Sequence, residues 1–524
     1  MERLRKSSQL RIPLSLEIGT LNPFLHRIPS ERQVLSLVYD TLTKISPNWS
    51  VQPWLAVSWE VSSNGLIWTF HLVRDAEWHD GKKLTAYDVE FTFNYICKWR
   101  FWELGTAVNS VQKAEAVNDY CVKIHTKEPF AAFLSYVTSN LPGIVPKHIW
   151  NDDARISNPN SFKNLESWGW IGSGPFMLKD WKPGVGVRLE ANERYFKGVP
   201  LAESIDMPII PEDEKMVQSL KSGTIDILTP SIAPSWGNIA PSVVSSLSGD
   251  SNINLIWTPD IEAFYVCFNL RRYPFNIKDF RRAIAHSVDP NKIDTILEGY
   301  TLPGNQGFVP PALEFWYNSN VSKYEFDLKR ARNILDSLGW IDNDGDGIRE
   351  TEKGSKLEFK LFTPEYDPLK LRIADAIIED LKEIGIKVVN EPLDMDPLSS
   401  SARLGTFDMF MLGWRLEPDP EFLYTLFHSS RISPAGFNYP GYNNPECNEL
   451  LELQRKQFDV QERRKSIFRL QQILSEDVPY CVLYYKKKAF ACRIDGFANW
   501  VNVPGLGPNN FWSYIAEREQ AEKS

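Results

Sequence analysis

No Cys-x-x-Cys pair occurs among the six cysteines, Cys97, Cys121, Cys267, Cys447, Cys481 and Cys492. That spacing argues against a zinc or redox site and leaves buried free thiols as the expectation. No apolar run reaches the roughly 18 residues that a spanning helix requires. The charged start Met1–Ser8 resembles the opening of an export signal, but no apolar segment follows it, so no signal peptide is visible. There is no Gly-x-Ser-x-Gly elbow and no Gly-x-x-x-x-Gly-Lys phosphate loop. The seven histidines are scattered without a His-Glu-x-x-His pair, which argues against a zinc hydrolase. Positive charge is not in excess either: the net charge is -9 and the pI about 5.5, against nucleic acid as the main partner.

What the chain does have is length and aromatic surface. At 524 residues, two or three domains are expected. Eighteen tryptophans and nineteen tyrosines are a generous supply; cores use aromatics too, but many also suit a cleft that clasps polar ligands by stacking.

Periodicity outlines an α/β protein. Arg11–Leu16 reads as a first strand, 34–42 as a helix and Trp49–Trp59 as a loop. Trp68–Leu72 alternates as a half-buried strand does. Asp80-Gly81 marks a turn, and Thr85-Ala86-Tyr87-Asp88 is a capping box ahead of a helix with Val89, Phe93 and Ile96 on one face. Ala114–Thr126 and Gly174–Glu190 read as strands, the second broken at Lys182-Pro183-Gly184. Leu220–Ile227 is a helix end, a glycine stop and a strand, and Pro230–Asp250 reads as loops and short helices. Phe264–Asn269 is a strand, followed by a helix capped by Asp279 and another starting at Asp289-Pro290. Leu357–Phe362, the stripe Leu371, Ala374, Ile377, Ile378 and Leu381, and Ile386–Val389 form a strand–helix–strand crossover onto a partly parallel sheet. Ile467, Leu470, Ile473 and Leu474 line a last long helix before the strand Tyr480–Tyr485.

Two stretches carry chemistry. Phe407–Leu412 suits a strand buried on both faces, and Gly413 then permits close backbone approach. Trp414 offers a flat apolar face and Glu417 a carboxylate just beyond the strand's end, where open α/β sheets hold ligands. Pro418 and Pro420 stiffen the exit. The plainer reading is a strand end with a surface acid. In the second stretch, Asp342, Asp344 and Asp346 with Gly345 follow the spacing of a calcium loop, with the Ile348 carbonyl seventh and Glu350 ninth. Lys353 stands where the loop's bidentate Glu belongs, so a calcium site and an acidic turn both remain open.

Trp68–Val89, read as Trp-Thr-Phe-His-Leu-Val-Arg-Asp-Ala-Glu-Trp-His-Asp-Gly-Lys-Lys-Leu-Thr-Ala-Tyr-Asp-Val, resembles the signature of the oligopeptide/dipeptide-type solute-binding proteins of ABC importers, family 5. Further matches follow in that family's order: Val38–Leu42, Gly172–Phe176, Leu220–Ile227, Phe268-Asn269-Leu270 running into Phe280–Ile284, Gly339-Trp340 and Gly413-Trp414. The resemblance implies a periplasmic-binding-protein-like α/β clamp with mixed sheets, of the type called cluster C. It has two lobes and three domains: 1–44, 165–261 and 486–524 as one lobe, 45–164 beside it, and 262–485 as the other. The ligand would be enclosed as the lobes close. In peptide-binding members an acid three residues after this tryptophan takes the peptide's amino group; Glu417 stands there in place of the usual Asp. Peptide main chain would pair along Gly413, Trp414 and Arg415, and Tyr265 and Asn269 complete the expected ligand set. The implied role is a monomeric, non-catalytic extracytoplasmic receptor that needs no cofactor and delivers its peptide to membrane permease subunits. An oligosaccharide is the alternative ligand, and a cleft-using hydrolase the alternative class.

Overall fold

The computed structural model describes residues 9–101, 110–139, 143–151, 170–229, 239–304, 307–432, 434 and 436–515. The charged start Met1–Ser8, the expected boundary at 164/165 and the first part of the Pro230–Asp250 loops lie outside them. The chain forms two compact units, Met1–Thr258 with Ala489–Ser524, and Pro259–Lys488.

The first unit holds β1 (Leu10–Arg11), β2 (Thr43–Ile45), β3 (Val51–Pro53), β4 (Ala56–Val61), β5 (Ile67–Leu72), β6 (Val111–Asn118), β7 (Cys121–Thr126), β8 (Phe176–Lys182), β9 (Gly186–Ala191), β10 (Ser204–Pro208) and β11 (Ile227–Leu228). The first ten form the sheets β1–β10–β9–β8 and β4–β5–β7–β6 and the pair β2–β3, while β11 pairs antiparallel with the strand segment Ala491–Cys492. On β5, Trp68, Phe70 and Leu72 are buried, as the alternation predicts. The helix Ala86–Trp99 buries Val89, Phe93 and Ile96, and the Asp88 carboxylate accepts from the Thr85 amide at 2.9 Å. The tryptophan-rich Trp49–Trp59 stretch is not a loop but the strands β3 and β4. Ala114–Thr126 is likewise a hairpin, β6 turning into β7 with Asn118 opposite Cys121.

The predicted helix at 34–42 spans Pro29–Val38. It starts early because Pro29 suits a first turn and the Glu31 carboxylate accepts from the amides of Thr20 and Arg27 at 2.9 and 2.7 Å. It stops early because its last carbonyls meet backbone. A Cβ on Gly172 would sit 1.9 Å from the Val38 oxygen, and one on Gly174 2.4 Å from that of Leu37. Those two glycines therefore dock the chain against the helix end.

β12 (Ile253–Phe268) passes from the first unit into the second, and β17 (Tyr480–Arg493) passes back. Between them come β13 (Thr301–Pro303), β14 (Glu358–Pro364), β15 (Lys387–Leu393) and β16 (Met409–Arg415). In the second unit the sheet runs β17–β12–β16–β14–β15, with β13 on the far side of β17. β14 and β15 are parallel from Glu358↔Lys387 to Pro364↔Leu393, joined by the helix Pro368–Lys382. That is the predicted crossover. Asp367 caps this helix and Ile373, Ala374, Ile377 and Leu381 bury its face. Asp279 is not a cap: it lies inside the first turn of Lys278–Ser287, whose cap position is Ile277. Asp289 does cap, accepting from the Asn291 amide at 2.9 Å. Among the described residues no helix is long and apolar enough to cross a membrane.

Candidate functional site

β16 carries the expected ligand residues. Met409, Phe410 and Met411 are buried, and exposure rises towards Arg415. Antiparallel to it, β12 pairs along the whole strand, from Phe268↔Met409 to Glu262↔Arg415. On its other edge, β14 pairs only with Met409 and Phe410. From Met411 to Arg415 that second edge therefore has no strand among the described residues.

Gly413 is required by a close approach. A Cβ there would meet the Phe264 ring at 2.7 Å. That ring stacks on Tyr484 at 4.6 Å and 10°. Trp414 points to the opposite face, 5.5 Å edge-on from Phe437 and 6.3 Å from Tyr439 in a stacked arrangement. Arg415 and Glu417 are exposed. The Arg415 guanidinium lies 3.3 Å from Asp260, a wholly buried carboxylate that also pairs with Lys488 at 2.7 Å. Burial pushes Asp260 towards its neutral form, but the two cations outweigh that and hold its pKa below the usual range.

Tyr265 and Asn269 sit elsewhere. Tyr265 is wholly buried among Phe308, Phe410 and Tyr480, and burial drives its phenol pKa well up. The Asn269 amide donates to the carbonyls of Gly405 and Phe407 at 2.9 and 2.7 Å, tying β12 to the turn before β16. Both residues shape the strand pair from within the core.

Past the strand, the loop Pro418–Glu421 is anchored by charges that the sequence reading did not single out. Asp419 accepts two hydrogen bonds from the Arg463 guanidinium, at 2.6 and 2.7 Å, with both side chains at most 5% exposed. Arg463 also donates to Gln454, which donates to Glu421 at 2.9 Å, while Arg455 reaches Glu421 at 2.8 Å. Burial raises the Glu421 pKa, and Arg455 and Gln454 oppose the rise. These partners lie on the helices Pro445–Gln454 and Val460–Asp477 or just beyond, more than thirty residues on, so no local motif could announce them.

The acidic loop gathers as its spacing implies. Carboxylate oxygens of Asp342, Asp344, Asp346 and Glu350 lie within 4.8 Å of one another. Asp342 accepts from the Gly345 and Gly347 amides at 2.7 and 2.9 Å, and Asp346 from that of Ile348 at 2.9 Å. The cation facing them is Lys356, 2.8 Å from Asp344 and also bonded to Asp346. Both acids raise the Lys356 pKa. Lys353 lies over the Tyr273 ring, away from the loop. The oxygens suit a hard cation, and one built into the chain already answers them.

Comparison with known proteins supplies context. The model for "Bacterial extracellular solute-binding proteins, family 5 Middle" matches residues 50–434. The oligopeptide-binding protein AppA of Bacillus subtilis is 29% identical over 464 residues, 87% of this chain and 82% of that protein. Its structure with a nonapeptide superposes with a TM-score of 0.67, covering 98% and 99% of the two chains. The nickel-binding periplasmic protein of Escherichia coli is 26% identical, over 77% of this chain and 75% of its own. The structure of HbpA2 from Haemophilus parasuis, 22% identical, shares the fold with a TM-score of 0.80 over 93% and 95%.

Proposed function

Because the chain belongs to family 5 of the bacterial extracellular solute-binding proteins, a family of receptors and not enzymes, we propose that it captures a peptide outside the cytoplasm and delivers it to the permease of an ABC importer. The observation that carries this reading is the half-paired β16. Met411–Arg415 has β12 on one edge and no strand on the other among the described residues. An extended peptide can add there through main-chain hydrogen bonds, which bind without regard to side-chain identity. Glu417, two residues past the strand, is the partner for the peptide's amino group, and Trp414 with Phe437 and Tyr439 forms an aromatic wall beside it. The relative whose structure holds a nonapeptide supports an oligopeptide over a dipeptide.

The same aromatic wall is what an oligosaccharide would stack on, so the test includes that ligand. Native mass spectrometry of the purified protein identifies any ligand carried through purification, and calorimetry with peptides and with oligosaccharides follows. Binding of peptides with free amino ends supports the reading. Binding of oligosaccharides alone overturns it.

A further inference from the structure

The aromatic wall beside Trp414 is tied to a buried, titratable side chain. His428 follows the helix Phe422–Phe427 and caps the 3-10 turn Ser429–Arg431. Its Nδ1 accepts from the Ser430 amide at 3.2 Å and lies 2.7 Å from the Ser430 hydroxyl. An amide can only donate, so the imidazole is neutral in this turn and carries its proton on Nε2. That Nε2 is 3.3 Å from Glu452 Oε1, at an angle too oblique for a good hydrogen bond. Two links then join the turn to the wall. The Arg431 carbonyl accepts from the Asn438 amide at 3.2 Å, and a Cβ on Gly436 would sit 1.9 Å from the same oxygen. The Asn438 side chain donates back to the His428 carbonyl at 3.1 Å. On either side of Asn438, Phe437 and Tyr439 are the rings set against Trp414.

The charged and titratable groups that face His428 are Glu452, Tyr424, Arg431 and Arg455. Tyr424 stacks on the imidazole at 4.5 Å, with Arg455 and Arg431 over its ring at 4.3 and 5.4 Å. Arg455 in turn meets Glu421 at 2.8 Å. Burial holds the His428 pKa below its usual value; Arg431 and Arg455 add to that, and Glu452 opposes it. A proton added at Nδ1 sets two donors face to face, Nδ1–H and the Ser430 N–H, and makes Glu452 an ion-pair partner. The closed turn therefore binds this proton less well than an opened one. It is favoured above the His428 pKa and gives way as the pH falls through it. Resting on the peptide-receptor reading, we propose that His428 is an acid-operated release. Its protonation loosens the turn Ser429–Arg431, draws Phe437 and Tyr439 away from Trp414, and weakens the hold on the bound peptide.

Two measurements on the full chain test this at about pH 7.5 and about pH 5, on either side of the ordinary histidine range. One is calorimetry with penta-alanine and with Ala-Phe-Ala-Lys-Ala. The other needs no ligand: hydrogen exchange at the Ser430 and Asn438 amides, corrected for its intrinsic dependence on pH. The comparison variant is His428→Asn, whose side-chain oxygen can accept from the Ser430 amide but takes up no proton. Titration of Glu417 and of the peptide's own ends is common to both proteins, so the difference between them reads His428. Acid should weaken peptide binding about fivefold more in the parent than in His428→Asn, the factor that losing a helix-cap hydrogen bond corresponds to. Exchange at both amides should speed up by a similar factor in the parent alone. Glu452→Gln, at a position 57% exposed, keeps the imidazole but removes its ion-pair partner. Its loss of affinity should begin at lower pH than in the parent, and this arm serves if His428→Asn does not fold. An equal acid response in parent and His428→Asn, or an unmoved onset in Glu452→Gln, overturns the device. Faster exchange without weaker binding overturns its hold on the ligand. A parent that binds neither peptide at about pH 7.5 refutes the peptide reading itself, and the inference with it.

Discussion

Replacing Asp419 by Asn tests what holds the ligand loop in place. The change keeps the shape and removes the charge that two Arg463 N–H groups meet at 2.6 and 2.7 Å. Arg463 is 4% exposed, so water cannot take over the lost contact. Removing one partner of a buried pair costs about 3–5 kcal/mol. The lower end applies here. Glu421, whose pKa Arg463 lowers, leaves a second carboxylate acting on the guanidinium after Asp419 is neutralised. A loss of about 3 kcal/mol in a domain of this size lowers the melting temperature by roughly 6–12 °C. Differential scanning calorimetry should show it in the transition of the unit Pro259–Lys488. Lys113→Ala, which breaks an exposed pair with Glu115, should stay within about 0.5 kcal/mol of the parent. Combining Asp419→Leu with Arg463→Met should recover only part of the loss, because it removes both charges of the pair but leaves Gln454 Oε1 without its Arg463 donor and the Glu421 amide without Asp419. A shift under about 2 °C for Asp419→Asn would show that the pair contributes no more than a surface bridge, and the reasoning would fail.

Glu417→Gln should weaken binding of peptides with a free amino end by about tenfold or more with the fold intact, read by calorimetry; equal affinities would remove its role. His79 gives a pH dependence: its Nδ1 accepts from the Gly172 amide and its Nε2 donates to the Gly174 carbonyl, and burial lowers its pKa to about 4. The unfolded chain takes up that proton near pH 6.5, so the contribution is complete above that and is lost as pH falls towards 4. Melts of the parent should therefore be steeper across this window than those of His79→Gln, and parallel curves would count against it. For the loop Asp342–Glu350, Lys356 competes with any metal. Lys356→Met should raise the melting temperature gained from millimolar calcium over chelator, and Asp344→Ala should abolish the gain. If neither the parent nor Lys356→Met responds to calcium, the loop is an acidic turn closed by a lysine.

Local chemistry was mostly legible where one short segment contained both partners of an interaction, Asp279, inside its helix's first turn instead of at the cap, being an exception. The reach-back from Asp88 to Thr85, the Asp289-Pro290 helix start and the β14–helix–β15 crossover are of this kind, since capping and periodicity act over a few residues. The ordered motifs from Trp68 to Trp414 likewise pointed to the family, and the turn residues to an acidic loop. Where both partners were not local, the reading failed or stayed silent. The helix end at Val38 depends on Gly172 and Gly174, and the Trp49–Trp59 strands on β2 and β5 as pairing partners. The resemblance placed Tyr265 and Asn269 in the ligand set, and folding encloses both in the core. Lys356 in the acid cluster, Asp260 beneath Arg415, and the Asp419–Arg463–Gln454–Glu421 network each join residues far apart in the chain. A buried charge is tolerable only beside its counter-charge, and tertiary packing alone brings the two together.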